Sequence, residues 1–366
     1  MAIELSYERF NNGDDIVPWY SAEEVILNTG FANTLAGDDK ITGVGPGRRP
    51  SIYDSGIINR GTLYTGEGND MITGTYDATE YSLHNANYVS PPNNGRSPYR
   101  DNRGNFYYYP EDPNGPIPLP VNNYGIYNSG TIDTGDDNDT ITGSNITQSG
   151  YLMNITLRHV GYTRSSVGIY NGGTIKTGEG ADSLISDGEF MNGYYGQVLL
   201  EGGDDTITSY GVIYNNGEIN TGSSDDIITS YGVIYNDSEI NTGSGNDTIT
   251  SYDVIYNGGK IDTASGNDFI IAREGFESGL NNSGSVVLGQ GEDSLYGFGS
   301  GDFDGGGDVD TIELTFGSYT VGRVGAAVSF TKGSSVMITS EFEKLKAGST
   351  TYDFISLTAG QIITVA

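Results

Sequence analysis

The chain has 366 residues and carries 48 Asp and Glu against 17 Lys and Arg, for a net charge of -31. No basic stripe exists to meet phosphates, which excludes nucleic-acid binding. The absence of cysteine excludes disulfides and thiolate metal sites. No apolar run is long enough to cross a bilayer. High charge with modest hydrophobicity often signals disorder, but the repeats below argue for a chain that folds once its charge is neutralised.

Residues 1–20 begin MAIELSYERFNNGDD, with neither a basic n-region nor an apolar h-region; they read as an N-terminal cap rather than an export signal. From 21 to 315 one unit recurs. It is clearest from Val212, Val233 and Val254, where VIYNNGEINTGSSDDIITSYG is repeated almost verbatim with a period of 21 residues. Such a period marks a solenoid, each unit making one coil on a shared core. Aligning the units on the last Asp of the turn gives anchors at Asp39, Asp70, Asp139, Asp182, Asp205, Asp226, Asp247, Asp268, Asp293 and Asp310. Thirteen residues before most anchors stands an apolar residue (Ile26, Ile57, Ile126, Ile169, Ile213, Ile234, Ile255, Leu280). Asn follows two places later, at Asn28, Asn59, Asn128, Asn171, Asn215, Asn236, Asn257 and Asn282. The coils anchored at Asp205 and Asp310 lack this half.

Within a unit the alternation has the period of a strand. Ile213, Asn215, Ile219 and Thr221 are predicted to point inward; Tyr214, Glu218 and Asn220 point outward. Gly217 makes one corner and the TGSSDD turn another, so each unit reads as two short strands and two turns. The expected fold is all-β: a single-stranded parallel β-helix or β-roll solenoid of about ten coils. Asn is poor in strands, so an inward Asn in every coil needs partners, either the Asn of neighbouring coils or the corner backbone.

Three stretches interrupt the period: about 75–122, about 146–166 and 187–198. The first two leave the coil after the same strand and should protrude together. They hold Arg96, Arg100, Arg103, Arg158, Arg164, His84 and His159. The histidines lie too far apart to indicate zinc. Arginine among aromatics suits a sugar or a carboxylate, which makes polysaccharide or a cell-surface component the expected partner. A lyase- or epimerase-like enzyme is the alternative, but no lysine or distinct carboxylate pair stands out, and no catalytic residue is assigned. The outward column Tyr127, Tyr170, Tyr214, Tyr235 and Tyr256 reads as ring-on-ring packing, with a glycan platform as the other reading. Residues 316–366 alternate as strands and read as a β-rich C-terminal cap.

The turns TGEGND (65–70), TGDDND (134–139), TGEGAD (177–182), TGSSDD (221–226), TGSGND (242–247) and TASGND (263–268) stack carboxylates and carbonyls in a column. Calcium, which takes six to eight oxygen ligands in irregular geometry, fits such a column. TGSGNDTIT resembles the nonapeptide of RTX (repeats-in-toxin) proteins. The resemblance implies several calcium ions held by the motif Asp and the Gly-x-Gly backbone. On this chain those are Asp39, Gly66, Gly68, Asp70, Gly135, Asp139, Gly178, Gly180, Asp182, Asp205, Gly222, Asp226, Gly243, Gly245, Asp247, Gly266, Asp268, Gly289, Gly291, Asp293 and Asp310. One motif per coil puts ions on one edge only. Asp137, Ser224 and Asp308 replace Gly, and Ala264 replaces another, so weaker or skipped sites are expected there. The exposed middle positions, Glu67, Asp136, Glu179, Ser223, Ser244 and Ser265, are too charged and irregular for an ice-binding face. The resemblance also implies type I secretion and an extracellular location, with 316–366 similar to the tail of cyanobacterial RTX-type proteins.

Overall fold

The computed structural model describes residues 2–18, 25–46, 55–77, 99–100, 106–108, 117–118, 124–146, 167–279 and 284–366. Each full coil contributes three strands to three parallel sheets, which form the faces of the solenoid. In the coil from Ile213 they are Ile213–Asn215 on face 1, Glu218–Asn220 on face 2 and Ile227–Ser230 on face 3. Neighbouring coils pair in register, Ile213 with Ile234 and Ile234 with Ile255. The expected two-strand unit is thus corrected to three. The third corner falls at Tyr231–Val233, where a β-favouring Tyr in place of a Pro-Gly signal made the sequence read straight through.

The alternation holds. Ile213, Asn215, Ile219 and Thr221 are buried, while Tyr214, Glu218 and Asn220 keep partial exposure. One branched or aromatic side chain per strand fills the interior: Ile213, Ile219 and Ile228 in this coil are all fully buried. Each is worth roughly 1.5–3 kcal/mol relative to exposure.

A chain that turns a corner leaves backbone groups without ladder partners, and each corner answers with an inward polar side chain. At corner 1, between faces 1 and 2, Asn amides form a continuous ladder. Asn215 Nδ2 donates to Asn236 Oδ1 at 2.9 Å and to the Glu239 carbonyl at 2.8 Å, and the pattern runs from Asn28 to Asn257. Both partners anticipated for Asn are used. Corner 2 is the acidic turn. At corner 3, Ser230 Oγ donates to the Gly211 and Val233 carbonyls at 3.0 Å each, with Ser209 and Ser251 doing the same.

Several boundaries differ from expectation. The coil of Asp205 has its first half after all, supplied by Glu189–Asn192: Phe190 pairs with Ile213 and Asn192 with Asn215. Residues 187–198 therefore build the coil rather than interrupt it. Leu280 and Asn282 lie outside the described residues, and Phe276–Ser278 takes the register position opposite Ile255–Asn257. Before the first anchor, Ala2–Glu4 pairs in parallel with Val25–Leu27, and Ile16–Val17 with Lys40–Ile41. The coil of Asp310 does lack a face 1 strand.

The face 3 strands Met71–Asp77 and Thr140–Ile146 pair along their full length immediately before the two long insertions, so both leave the same edge side by side. In the first insertion, Tyr99–Arg100, Phe106–Tyr108 and Ile117–Pro118 pair antiparallel. Arg96, Arg103, Arg158, Arg164, His84 and His159 lie outside the described residues. Beyond 316 the chain adds strands to the ends of faces 2 and 3. Ser335–Ser340 joins face 2 in parallel, and Ala327–Lys332, Gly317–Val324 and Ile362–Val365 follow it antiparallel, while Lys344–Ala347 with Thr350–Asp353 extends face 3. Among the described residues no helix is long and apolar enough to cross a membrane.

Candidate cation column at the acidic corner

All ten anchors stand inside corner 2, each no more than 2% exposed. Each accepts, through Oδ1, the backbone N–H of the anchor one coil before. Asp205 N–H donates to Asp226 Oδ1 and Asp226 N–H to Asp247 Oδ1, both at 2.8 Å. The same bond runs from Asp39 to Asp310 at 2.7–2.9 Å. In every one of the ten, Oδ2 is buried and has no hydrogen-bond partner.

Sequence reasoning missed both ends of this column. Asp15 precedes Asp39 in the ladder, donating N–H to Asp39 Oδ1 at 2.7 Å. Its own carboxylate is closed by Asn11, whose N–H and Nδ2 donate to the two oxygens at 2.9 and 2.7 Å. At the far end Asp310 N–H donates to Glu343 Oε2 at 2.9 Å. A second, exposed ladder on the position before the anchor was also missed. There Asn69, Asn246 and Asn267 N–H donate to Asp38, Asp225 and Asn246 Oδ1, so these bonds point opposite to the inner ones.

The turns place the expected glycines where positive φ is needed. Gly245, at φ 138°, packs so closely that a Cβ would lie 1.9 Å from the Ser224 carbonyl oxygen. At this position, two before the anchor, glycines span φ 117–151°, whereas Asp137, Ser224 and Asp308 stand at 83–87°. A side chain here survives by rotating the backbone, because its Cβ must clear the carbonyl below. Ala264 likewise stays in the left-handed region, at φ 61°. The replaced turns keep their place in the column, with their peptide planes reoriented.

Stacking carboxylates without water is costly, and the protonated form gains. Burial pushes Asp139 and Asp205 up to about 8, Asp226, Asp268 and Asp310 to about 7, and Asp70 and Asp182 to about 6. It raises Asp39, Asp247 and Asp293 as well. The neighbouring Thr hydroxyl and the ladder N–H oppose the shift at Asp139, and the Asp182 and Asp70 charges add to it.

The fit to a cation follows from the donors. Each coil offers one unpartnered carboxylate oxygen, and peptide carbonyls of the turn would have to complete an all-oxygen set. Among the described residues no group of three or more His, Cys, Asp or Glu is placed to hold a metal ion by itself, so most ligands would be peptide carbonyls. Calcium accepts such sets; magnesium demands a tighter octahedron.

The tyrosine column is present as two runs, with Met191 between Tyr170 and Tyr214, and it is one of two columns. Tyr214, Tyr235 and Tyr256 stack at 5.0 and 4.8 Å, as do Tyr127 and Tyr170 at 5.3 Å. Corner 3 carries a second, more exposed stack of Tyr210, Tyr231 and Tyr252, closed by the Arg273 guanidinium 3.9 Å above Tyr252. Its sequence signal is the recurring TSY at 208–210, 229–231 and 250–252. In both stacks the ring faces are occupied by neighbouring rings.

No family model matches the chain, and no curated protein matches it. Among solved structures it is similar to a hyperactive, Ca2+-dependent, β-helical antifreeze protein from an Antarctic bacterium. The two share 20% identity over 78% of this chain and 84% of that one, with a TM-score of 0.28. At that score the likeness carries no argument, and the fold rests on the strand pairing described above.

Proposed function

We propose that the protein is a calcium-binding structural or adhesive rod that works outside the cell, with a polysaccharide or cell-surface component as its partner. The observation that carries the calcium reading is the column of ten buried carboxylate oxygens without a hydrogen-bond partner. The motif Asp side chains and the turn carbonyls would hold the ions. Once bound, calcium supplies the positive charge that lets stacked carboxylates stay ionised away from water. Sites of this extracellular type fill at roughly 10⁻⁴–10⁻³ M calcium, which supports secretion of an unfolded chain that folds outside. RTX-type export through the C-terminal segment is part of the same reading. The stacked rings present edges and hydroxyls, which favours packing over a sugar platform on face 1, so a glycan partner is assigned to the insertions. A calcium titration of EDTA-treated protein, followed by circular dichroism and calorimetry, tests the reading. Calcium should raise the β signal and the melting temperature together. A fold and melting temperature untouched by EDTA would sink it.

A further inference from the structure

The two ends of the Asp column are closed differently. At the N-terminal end Asn11 gives Asp15 two hydrogen bonds, so both of its oxygens are satisfied without any ion. At the C-terminal end the group that meets Asp310 is another carboxylate, Glu343. Its place is set by register: Thr311 pairs with Lys344 in face 3, which puts Glu343 opposite Asp310 as the next member of the column. The cap also copies the turn geometry. Glu341, two residues before Glu343, has φ 54°, matching the positive φ at the same position of the preceding coils.

The last coil is shaped to receive this. Where other coils carry Thr or Leu five residues before the anchor, this one has Gly305. A Cβ there would lie 2.2 Å from the Glu341 carbonyl oxygen and 2.9 Å from Asp310 Oδ2. The missing side chain lets the Glu341 carbonyl oxygen and Asp310 Oδ2 both pack close against Gly305. Asp310 is fully buried, and that Oδ2 has no partner. A backbone bond joins these two carboxylates, the Asp310 side buried and Glu343 half-buried, and a carbonyl lies close by, so a cation could be shared among them. Interior pairs have a Thr hydroxyl beside most anchors.

The geometry points to a divalent cation site at the junction of solenoid and cap, a calcium site built from Asp310, Glu343 and the Glu341 carbonyl. It rests on the calcium reading above and adds that this ion clamps residues 317–366 onto the last coil. Cap docking is then calcium-dependent in its own right.

The test compares full-length wild type, Glu343→Gln, Gly305→Ala and the mid-column control Asp226→Asn. Bound calcium is counted by equilibrium dialysis, and limited proteolysis follows the cap at graded calcium. Glu343→Gln should bind one ion fewer and need about tenfold more calcium to protect the cap, since losing a charged ligand weakens a site. Gly305→Ala should do the same by filling the space, without altering charge. Asp226→Asn should lose calcium while its cap stays as protected as in wild type. Wild-type stoichiometry and cap protection in both Glu343→Gln and Gly305→Ala would overturn the site while leaving the calcium column standing. A wild type that binds no calcium would overturn both readings.

Discussion

Corner 1 and corner 2 stack one short polar side chain per coil, at the same spacing, inside the same walls. Asparagine carries a donor and an acceptor, so each amide serves the next, and only Asn28 Oδ1, at the end of the column, is left without a partner. Aspartate is acceptor-only when ionised. Its ladder is completed by backbone N–H groups, which leaves one oxygen in every coil unpaired. A column of amides closes on itself; a column of carboxylates must import a proton or a cation. One corner is a permanent fastening and the other a conditional one.

The largest effect that would break this contrast is calcium removal. At pH 7.5 EDTA should lower the melting temperature by tens of degrees, because several kcal/mol of buried charge is left uncompensated in each affected coil. The amide corner alone should not hold the fold, and calorimetry with and without chelator decides this.

pH should substitute for calcium in a predictable direction. The anchor carboxyls hold protons more tightly folded than unfolded, seven of them raised to between about 6 and about 8 against an ordinary 3.8. The folded state therefore binds more protons, and stability falls as pH rises from about 4 to 8. In EDTA the melting temperature should drop by roughly 10 °C between pH 5 and 8, because each tenfold gain in a carboxyl's proton affinity on folding is worth about 1.4 kcal/mol. In calcium the slope should flatten, as protons and ions compete for the same oxygens. A melting temperature in EDTA that climbs over that range would refute the sign.

Exchanging the side chains between corners sharpens the comparison. Asn236→Asp puts an unpaired acceptor into the amide ladder and should cost about 3–5 kcal/mol in any buffer. Asp226→Asn should stabilise the EDTA form by about 1–3 kcal/mol, by supplying the missing donor, and weaken the calcium form. Chemical denaturation in both buffers reads the two signs. The smallest effect is at the strained turn. Ser224→Gly should add about 0.5–1 kcal/mol by relieving φ 87°, visible as a small rise in melting temperature.

The sequence carried the coil period, the inward Asn and Asp and the ten anchors, because each is a side-chain pattern fixed by stacking. What it hid was geometry without a pattern. The third corner is turned by Ser-Tyr-Gly, whose Tyr favours strands. Phe190–Asn192 took the place of Ile-Tyr-Asn inside a 23-residue coil rather than a 21-residue one. Glu343 sits 33 residues past Asp310 behind antiparallel strands, in no TG turn, so only register could place it.

The spacing of the Asp ladder also has a mechanical meaning. Successive rungs from Asp39 to Asp310 are separated by 31, 69, 43, 23, 21, 21, 21, 25 and 17 residues. Pulled from its ends, a rod of nearly equal interfaces yields one coil at a time, each 21-residue coil releasing about 7 nm of chain. The uneven steps would form a length code in the force trace, with three equal increments flanked by two longer ones. The molecule's tensile record would thus spell out the order in which its coils let go.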